Sequence, residues 1–291
     1  MEALRRRIEA RVMSLSGLAL GQIDYEHPEG DPGLFGPESM PWEVHSDFTS
    51  MLVGGIASLL LQMLHPLALA GVWDHSNFRQ DMLGRLRRTG QFVAGTSFAP
   101  TASADWLIDK VRSIHLKVTG TAADGRRYAA SDPALLTWVH VAEVSCFLAG
   151  YLRYLNPQLS GAEQDRYYAE IALVAERLGA TDVPKSRQAV ADYLDAMRPQ
   201  LVCDERTREI CRILLNAPAP SRSAVPISRL FMQAGIDLLP AWTQQQLGLQ
   251  QAAWQRPLIR AGVHSLAPIL RWAVRNGASH RSRKRMGLPP R

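Results

Sequence analysis

The chain has 291 residues, of which 46% are hydrophobic and 21% are charged, and its formal net charge is +6. This apolar fraction suffices for a folded core, and the 21 glycines and 18 prolines follow no repeat, so disordered and collagen-like proteins are excluded. Cys146, Cys203 and Cys211 form no CxxC pair, which argues against a disulfide framework or a structural zinc site and favours a reducing compartment.

Residues 1–39 are predicted to form an N-terminal extension. They begin with an Arg-rich amphipathic helix, and residues 27–37 follow as a loop whose density of Pro and Gly forbids regular structure. The first residues contain no apolar stretch followed by a small-residue cleavage site. We therefore expect no export, and a cytoplasmic protein.

The next segment, residues 51–73, contains no Asp, Glu, Lys or Arg and is long enough to span a bilayer. It is interrupted by Gly54-Gly55, by Gln62 and by His65-Pro66, which would place polar or broken backbone at membrane depth. These interruptions favour a buried central helix that is kinked or ends near Pro66. A membrane-associated protein is the alternative.

Beyond residue 73 the chain is predicted to be helical almost throughout, because apolar residues recur at three-to-four spacing and period-two runs are scarce. Helix starts are indicated at Ser103, at Asp132-Pro133 and at the capping box Ser160 to Glu163. Helix ends are indicated at Gly120, Asn156-Pro157, Gly179 and Pro199. A loop at 217–226 precedes a C-terminal helical section that we expect on the same core. The pattern predicts an all-α fold with a single helical domain.

The net charge is concentrated at the C-terminus. Residues 275–291 carry six basic residues and no acidic one, so the rest of the chain is neutral. We expect residues 271–291 to form a solvated, frayed basic tail, with no specific nucleic-acid partner; peripheral membrane contact is the alternative. Within the neutral body, residues 79–127 carry nine basic and four acidic residues, a local excess of +5.

His115 is the first candidate for chemistry. It follows Val111 and Ile114 in a predicted helix, and Arg112 lies one turn before it. A histidine in this position can bind a metal or can satisfy a hydrogen bond at the edge of the core, and the residues alone leave both open.

Arg85 and Thr89 form a second candidate, because side chains four residues apart share one face of a helix. A guanidinium beside a hydroxyl suits a carboxylate, a phosphate or a bound oxygen species, but a solvated basic turn has the same spacing. Asp74 and His75 either face a pocket or mark the exit of the long apolar segment.

Other constellations are weaker. His140 and Glu143 share a helix face, yet a di-iron bundle needs a second Glu-x-x-His copy and further glutamates, and the sequence has none. The chain contains no phosphate-binding Gly-rich loop after a strand, no HExxH and no GxSxG. The motifs that usually indicate nucleotide-binding, zinc-protease and α/β-hydrolase functions are therefore missing, which argues against these functions.

Four motifs occur in a characteristic order. They are Gly71-Val-Trp-Asp-His75-Ser-Asn-Phe, Arg85-Leu-x-x-Thr89, Val111-Arg112-Ser-Ile-His115 and Gly125-x-x-Tyr128-x-Ala-x-Asp132-Pro133-x-Leu-Leu-x-Trp138. With this order and spacing, residues 40–270 resemble the catalytic domain of the MpaB and latex-clearing-protein (rubber oxygenase) family. The resemblance implies an all-α fold with a globin-like helix arrangement around a pocket for b-type haem, and oxidation or cleavage of isoprenoid chains with dioxygen.

The resemblance also implies roles for single residues. It makes His115 the proximal iron ligand and places Arg85 and Thr89 in the haem pocket. Arg112 is our own addition as a partner of a haem propionate. Arg88 stands where rubber oxygenases can carry a lysine that caps the iron; arginine stays protonated and cannot bind iron, so we assign Arg88 to cofactor contact only.

The distal base of rubber oxygenases, a glutamate, has no evident counterpart, and Asp74 or His75 is our candidate for that role. The prediction is thus a haem b oxygenase that takes dioxygen, an electron donor and a small hydrophobic, unsaturated or isoprenoid-like substrate. Haem propionates would also account for the basic excess at 79–127. A haem-binding or gas-sensing protein without turnover and a cofactor-free membrane-associated interaction protein are the alternatives.

Overall fold

The computed structural model describes residues 1–15, 17–219 and 221–289. These residues form fourteen α-helices, three short 3-10 turns and one two-stranded hairpin, so the predicted all-α, single-domain fold is confirmed. The first helices are α1 (Glu2–Leu15), α2 (Met40–Val44), α3 (Phe48–Gln62), α4 (Pro66–His75), α5 (Met82–Phe98) and α6 (Thr101–His115). After strands β1 (Thr119–Thr121) and β2 (Arg127–Ala129) follow α7 (Pro133–Tyr154), α8 (Gly161–Leu178), α9 (Arg187–Met197), α10 (Glu205–Leu215), α11 (Val225–Leu238), α12 (Ala241–Leu247), α13 (Gln255–Ala273) and α14 (Ala278–Arg285).

The centre of the molecule is the crossing of α3 and α7, where glycines bring two backbones together. A Cβ on Gly54 would lie 2.8 Å from the Cys146 carbonyl oxygen, and one on Gly150 would lie 2.6 Å from the Ser50 carbonyl oxygen. Only glycine permits this approach without a shift of backbone. The two helices thereby become the core on which the others pack.

The apolar segment 51–73 is divided between α3 and α4, which meet at an angle of 103°. Pro66 begins α4, and His65 caps it by accepting from the Ala68 N–H, so the predicted break near Pro66 is confirmed. By length and composition α7, or α3 and α4 as one broken span, could cross a membrane. However, 72% of the apolar window of α7 is buried inside the protein, as in a core helix of a soluble protein.

Several predicted helix boundaries are confirmed. Asp132 caps α7 ahead of Pro133, and Ser160 and Glu163 form the capping box of α8. Gly179 ends α8 in the left-handed conformation at φ 110°, where glycine is favoured. α11 packs on α3, since Phe231 and Ala234 share the central hydrophobic cluster, so the C-terminal section does join the same core. Within the loop before it, Pro220 lies outside the described residues.

Two predicted boundaries are wrong. Ser103 does not begin α6: the helix starts at Thr101, whose backbone N–H and hydroxyl donate to the Asp31 carboxylate at 3.1 and 2.8 Å. The cap therefore comes from 70 residues away, where no local signal points to it. Gly120 does not end α6 either, because it lies in β1, with the Tyr128 ring of β2 packed over it.

The expectation of a solvated, frayed tail is wrong for α14. Arg285 is buried and donates to the carbonyl oxygens of Tyr25, Asp31 and Phe98 at 2.7–2.9 Å. Ser282, also buried, donates to the Phe98 carbonyl oxygen at 2.7 Å. The basic segment thus uses its charge to join the front loop to α5. Residues 290 and 291 lie outside the described part of the chain.

Candidate functional site

A large apolar cavity of about 670 Å³ lies between α3, α5, α11, α13 and the two terminal helices. Its size is in the range of small-molecule and cofactor sites. One face of α3 and one face of α5 form part of its wall. The lining residues follow three-to-four spacing: Phe48, Leu52, Gly55 and Leu59 on α3, and Leu83, Leu86, Gly90 and Val93 on α5. The central helix α3 is therefore buried on one side only and exposes the other to the cavity.

Most of the exposed wall is apolar, and Glu143 of α7 and Thr89 of α5 are among the polar side chains on it. Burial raises the pKa of the Glu143 carboxyl to about 7, because the charged form loses its hydration. At neutral pH this carboxyl can therefore give or take a proton at the cavity wall.

His45, which precedes the α3 N-cap Asp47, also borders the cavity. It is buried; its Nδ1 lies 2.7 Å from the Ser97 hydroxyl and its Nε2 lies 2.8 Å from the Tyr167 hydroxyl. Burial lowers the pKa of His45 to about 3, so the ring is neutral. Because both ring nitrogens are engaged, His45 positions the surrounding helices and is not a free metal ligand.

His140 lies one turn before Glu143 on α7 and is buried, with Nε2 unpaired among the described residues. Burial lowers its pKa to about 4. Within residues 1–15, 17–219 and 221–289 no group of three His, Cys, Asp or Glu side chains could hold a metal ion. The His140–Glu143 pair therefore does not form part of a carboxylate-bridged metal site in that part of the chain.

His115 ends α6 and is half-buried. Its Nδ1 is buried and has no hydrogen-bond partner among the described residues, and burial lowers the pKa of the ring. It is not among the residues that line the 670 Å³ cavity. Arg112, one turn before it, is exposed to solvent.

The Arg85 and Thr89 pair is divided between two sites. Thr89 lines the large cavity, whereas Arg85 borders a small gap between α3, α5 and α10. Arg85 donates to the Ser76 hydroxyl at 2.9 Å, and burial, with a smaller effect of Arg88, lowers its pKa to about 10. Arg88 is exposed and lies 3.5 Å from the Asp81 carboxylate.

Asp74 and His75 lie at the end of α4, where they hold the hairpin. Asp74 accepts from the Tyr128 hydroxyl at 2.7 Å, and His75 Nε2 lies 3.1 Å from the Thr119 carbonyl oxygen. Both side chains are exposed and outside the cavity wall. The structure thus joins the first and last motifs of the sequence through Asp74 and Tyr128, and it places Thr89 alone of the predicted site residues on the cavity.

The family comparison covers most of the molecule. A family model described as "ER-bound oxygenase mpaB/B'/Rubber oxygenase, catalytic domain" matches residues 42–272. The chain belongs to this family of oxygenase catalytic domains. No curated protein and no solved structure matches the chain. As a member of the family it is an oxygenase, hence an oxidoreductase, and the matched region leaves α1 and α14 outside it.

Haem, which the resemblance implies, can be tested against the side chains present. The half-buried imidazole of His115 has the chemistry of an iron ligand, because its buried Nδ1 has no partner among the described residues and burial lowers the pKa of the ring, which favours the neutral form. Arg85 is a largely desolvated cation whose hydrogen bond is to a hydroxyl, which suits an incoming carboxylate. The chemistry of these two donors fits the group, although neither residue lines the 670 Å³ cavity.

Three features of the site were beyond sequence reasoning. His45 gives no local signal, since its partners Ser97 and Tyr167 come from distant helices. Glu143 could be noticed only for its spacing from His140, not for its place on a cavity. The third feature is the wall supplied by α1 and α14, which lies outside the family region.

Proposed function

We propose that the protein is a haem b-dependent oxygenase that uses dioxygen to oxidise a hydrophobic, unsaturated or isoprenoid-like substrate. The observation that carries the proposal is an apolar cavity of about 670 Å³ inside a chain of the MpaB and rubber oxygenase family. An apolar wall of this extent favours an apolar substrate by burial of its surface.

In this proposal His115 holds the iron through its neutral imidazole, and Arg85, Arg88 and Arg112 offset the charge of the propionates. When bound, haem b supplies the iron that activates dioxygen. Thr89 lines the cavity and would orient a polar atom there through its hydroxyl. Asp74 and His75 remain our candidates for the proton acceptor, while an external donor supplies the electrons.

The test is the absorption spectrum of the purified full-length protein with a pyridine haemochrome assay. We expect a Soret band, loss of at least nine-tenths of the bound haem in His115→Ala, and full retention in His264→Ala, whose ring is exposed on α13. The loss follows because iron would lose its protein ligand. Circular dichroism of both variants checks that they are folded.

A protein without a Soret band after haem supplementation would contradict the proposal. Equal haem in the two variants would mean that the ligand is misassigned. A haem spectrum without product from any unsaturated lipid in the presence of dioxygen and reductant would instead favour a haem-binding or gas-sensing protein.

A further inference from the structure

Two parts of the cavity wall differ in charge. The residues of α5 on its wall run from Leu83 to Phe98, so the cavity extends about 22 Å along this helix at 1.5 Å per residue. Around Leu83, Leu86 and Leu59 the wall is apolar. Near Phe98, at the other end of α5, the wall is completed by α14, whose Ala278 packs with Phe98, and α1 adds its own part of the wall.

The terminal helices bring arginines to the cavity wall. Arg11 of α1 and Arg283 of α14 both line the cavity. Glu9 accepts from the Arg275 backbone N–H at 2.7 Å, and this bond holds the last turns of α1 beside the start of α14. Ser282 in turn fixes α14 to Phe98 at the end of α5. Both guanidinium groups therefore belong to the part of the cavity wall that the terminal helices form.

These charges exceed the acidic groups on the wall. The acidic residues among the described lining residues are Asp47 and Glu143. Asp47 is engaged by Arg271 at 2.7 Å, and Glu143 carries at most part of a charge at neutral pH because burial raises its pKa to about 7. Arg283 donates through Nε to the Pro289 carbonyl oxygen at 2.9 Å, which is a neutral acceptor, and Arg11 is exposed, so the charges of both guanidinium groups have no acidic partner among the described wall residues.

We infer that the cavity binds a single-chain amphiphile, with its apolar chain along α3 and α5 and its anionic head group at Arg11 and Arg283. A neutral isoprenoid would cover the apolar wall but would leave the two arginines without an anionic partner. A carboxylate or a phosphate would form charge-assisted hydrogen bonds with the guanidinium groups. The inference rests on the proposed function in one respect: it makes such an amphiphile the substrate class of the oxygenase.

The test is a binding titration of the full-length protein by calorimetry, with oleate, methyl oleate and oleyl phosphate as probes below their aggregation concentrations. We expect oleate to bind at least tenfold more tightly than methyl oleate, and this preference to disappear in Arg11→Gln/Arg283→Gln. The matched control is Arg7→Gln/Arg212→Gln, which removes two exposed arginines outside the cavity wall and should keep the preference.

Binding of methyl oleate serves as the fold control, because the double variant should keep it unchanged. Equal affinity of the wild type for oleate and methyl oleate, or a preference that survives the double substitution, would overturn the inference, and so would equal loss of both probes. A larger preference for oleyl phosphate over oleate would identify a phosphate head group, and the reverse a carboxylate.

The assay needs no haem and no turnover, so its failure is distinguishable from failure of the proposed function. Head-group preference in a protein that binds no haem would leave the amphiphile site standing and remove the oxygenase assignment of that site. Turnover of neutral isoprenoids without any preference for anions would support the oxygenase and would remove the amphiphile site.

Discussion

Some buried side chains have hydrogen-bond partners for all their polar atoms, and others keep a polar atom without one. His45 is satisfied by Ser97 and Tyr167, whereas His115 and His140 each keep one buried nitrogen unpaired among the described residues. Since nearly all buried polar atoms in folded proteins are hydrogen-bonded, unpaired ones call for a functional explanation. This difference supports the assignment of ligand chemistry to His115 rather than to the better-buried His45.

Glu143 allows a residue-scale prediction on pH. Its pKa is raised by burial from 4.5 to about 7, so the unfolded chain releases this proton first as pH rises, and the contribution of Glu143 to stability falls between pH 4.5 and 7. We expect Glu143→Gln to be as stable as the wild type near pH 4.5 and more stable above pH 7, by up to about 3 kcal/mol. Urea unfolding measured from pH 4.5 to 8 checks this.

The buried histidines do not obscure the result. Their pKa values are lowered, so their contribution is present above the unfolded value and is lost as pH falls, in the wild type and the variant alike. The difference in the free energy of unfolding between the wild type and the variant therefore reports the titration of Glu143. A difference independent of pH would contradict the assignment.

At the scale of elements, packing explains patterns that looked like interruptions in the sequence. The Gly54-Gly55 pair argues against a membrane span when read as sequence, and in the folded chain Gly54 is the point where α3 meets α7. Helix starts and ends with local caps could be predicted, as at Asp132 and Ser160. The start of α6 could not, because Asp31 supplies its cap through the tertiary fold.

The close crossing predicts opposite effects for two neighbouring glycines. Gly54→Ala should destabilise the protein by about 1–3 kcal/mol, because the new Cβ would lie 2.8 Å from a backbone oxygen. Gly55→Ala should leave stability unchanged or raise it by up to about 1 kcal/mol, since its nearest neighbour is 3.9 Å away and alanine is the better helix former. Thermal unfolding of the two variants compares them, and equal melting temperatures would refute the crossing.

At the scale of the whole molecule, the two chain ends complete the cavity and the fold. α1 and α14 lie outside the family region and still supply part of the cavity wall. Arg5 donates to the Ala273 carbonyl oxygen at 2.9 Å, and Arg285 joins the front loop to α5. The cavity wall is therefore not built by the family region alone.

Arg285 carries the prediction at this scale. Arg285→Ala should destabilise the protein by about 2–4 kcal/mol, because it removes three hydrogen bonds from a charged donor and leaves carbonyl oxygens buried. Lys284→Ala is the matched control: it removes an exposed ion pair with Glu26 and should cost at most about 1 kcal/mol. Urea unfolding measures the stability of both variants. Equal losses of stability would contradict the docking of α14 and would favour a solvated tail.

The sequence by itself determined the helical class, the break at Pro66, most capped helix ends and the family, because each is written in local periodicity, capping or short motifs. Only the tertiary structure decided which side of α3 faces a cavity, that Asp31 caps α6, and that the basic C-terminus is docked through Arg285. It also showed that Thr89 lines the large cavity, whereas Arg85 borders a small gap. These depend on contacts between residues far apart in the chain, where burial and hydrogen-bond partners, rather than residue type, set the role of a side chain.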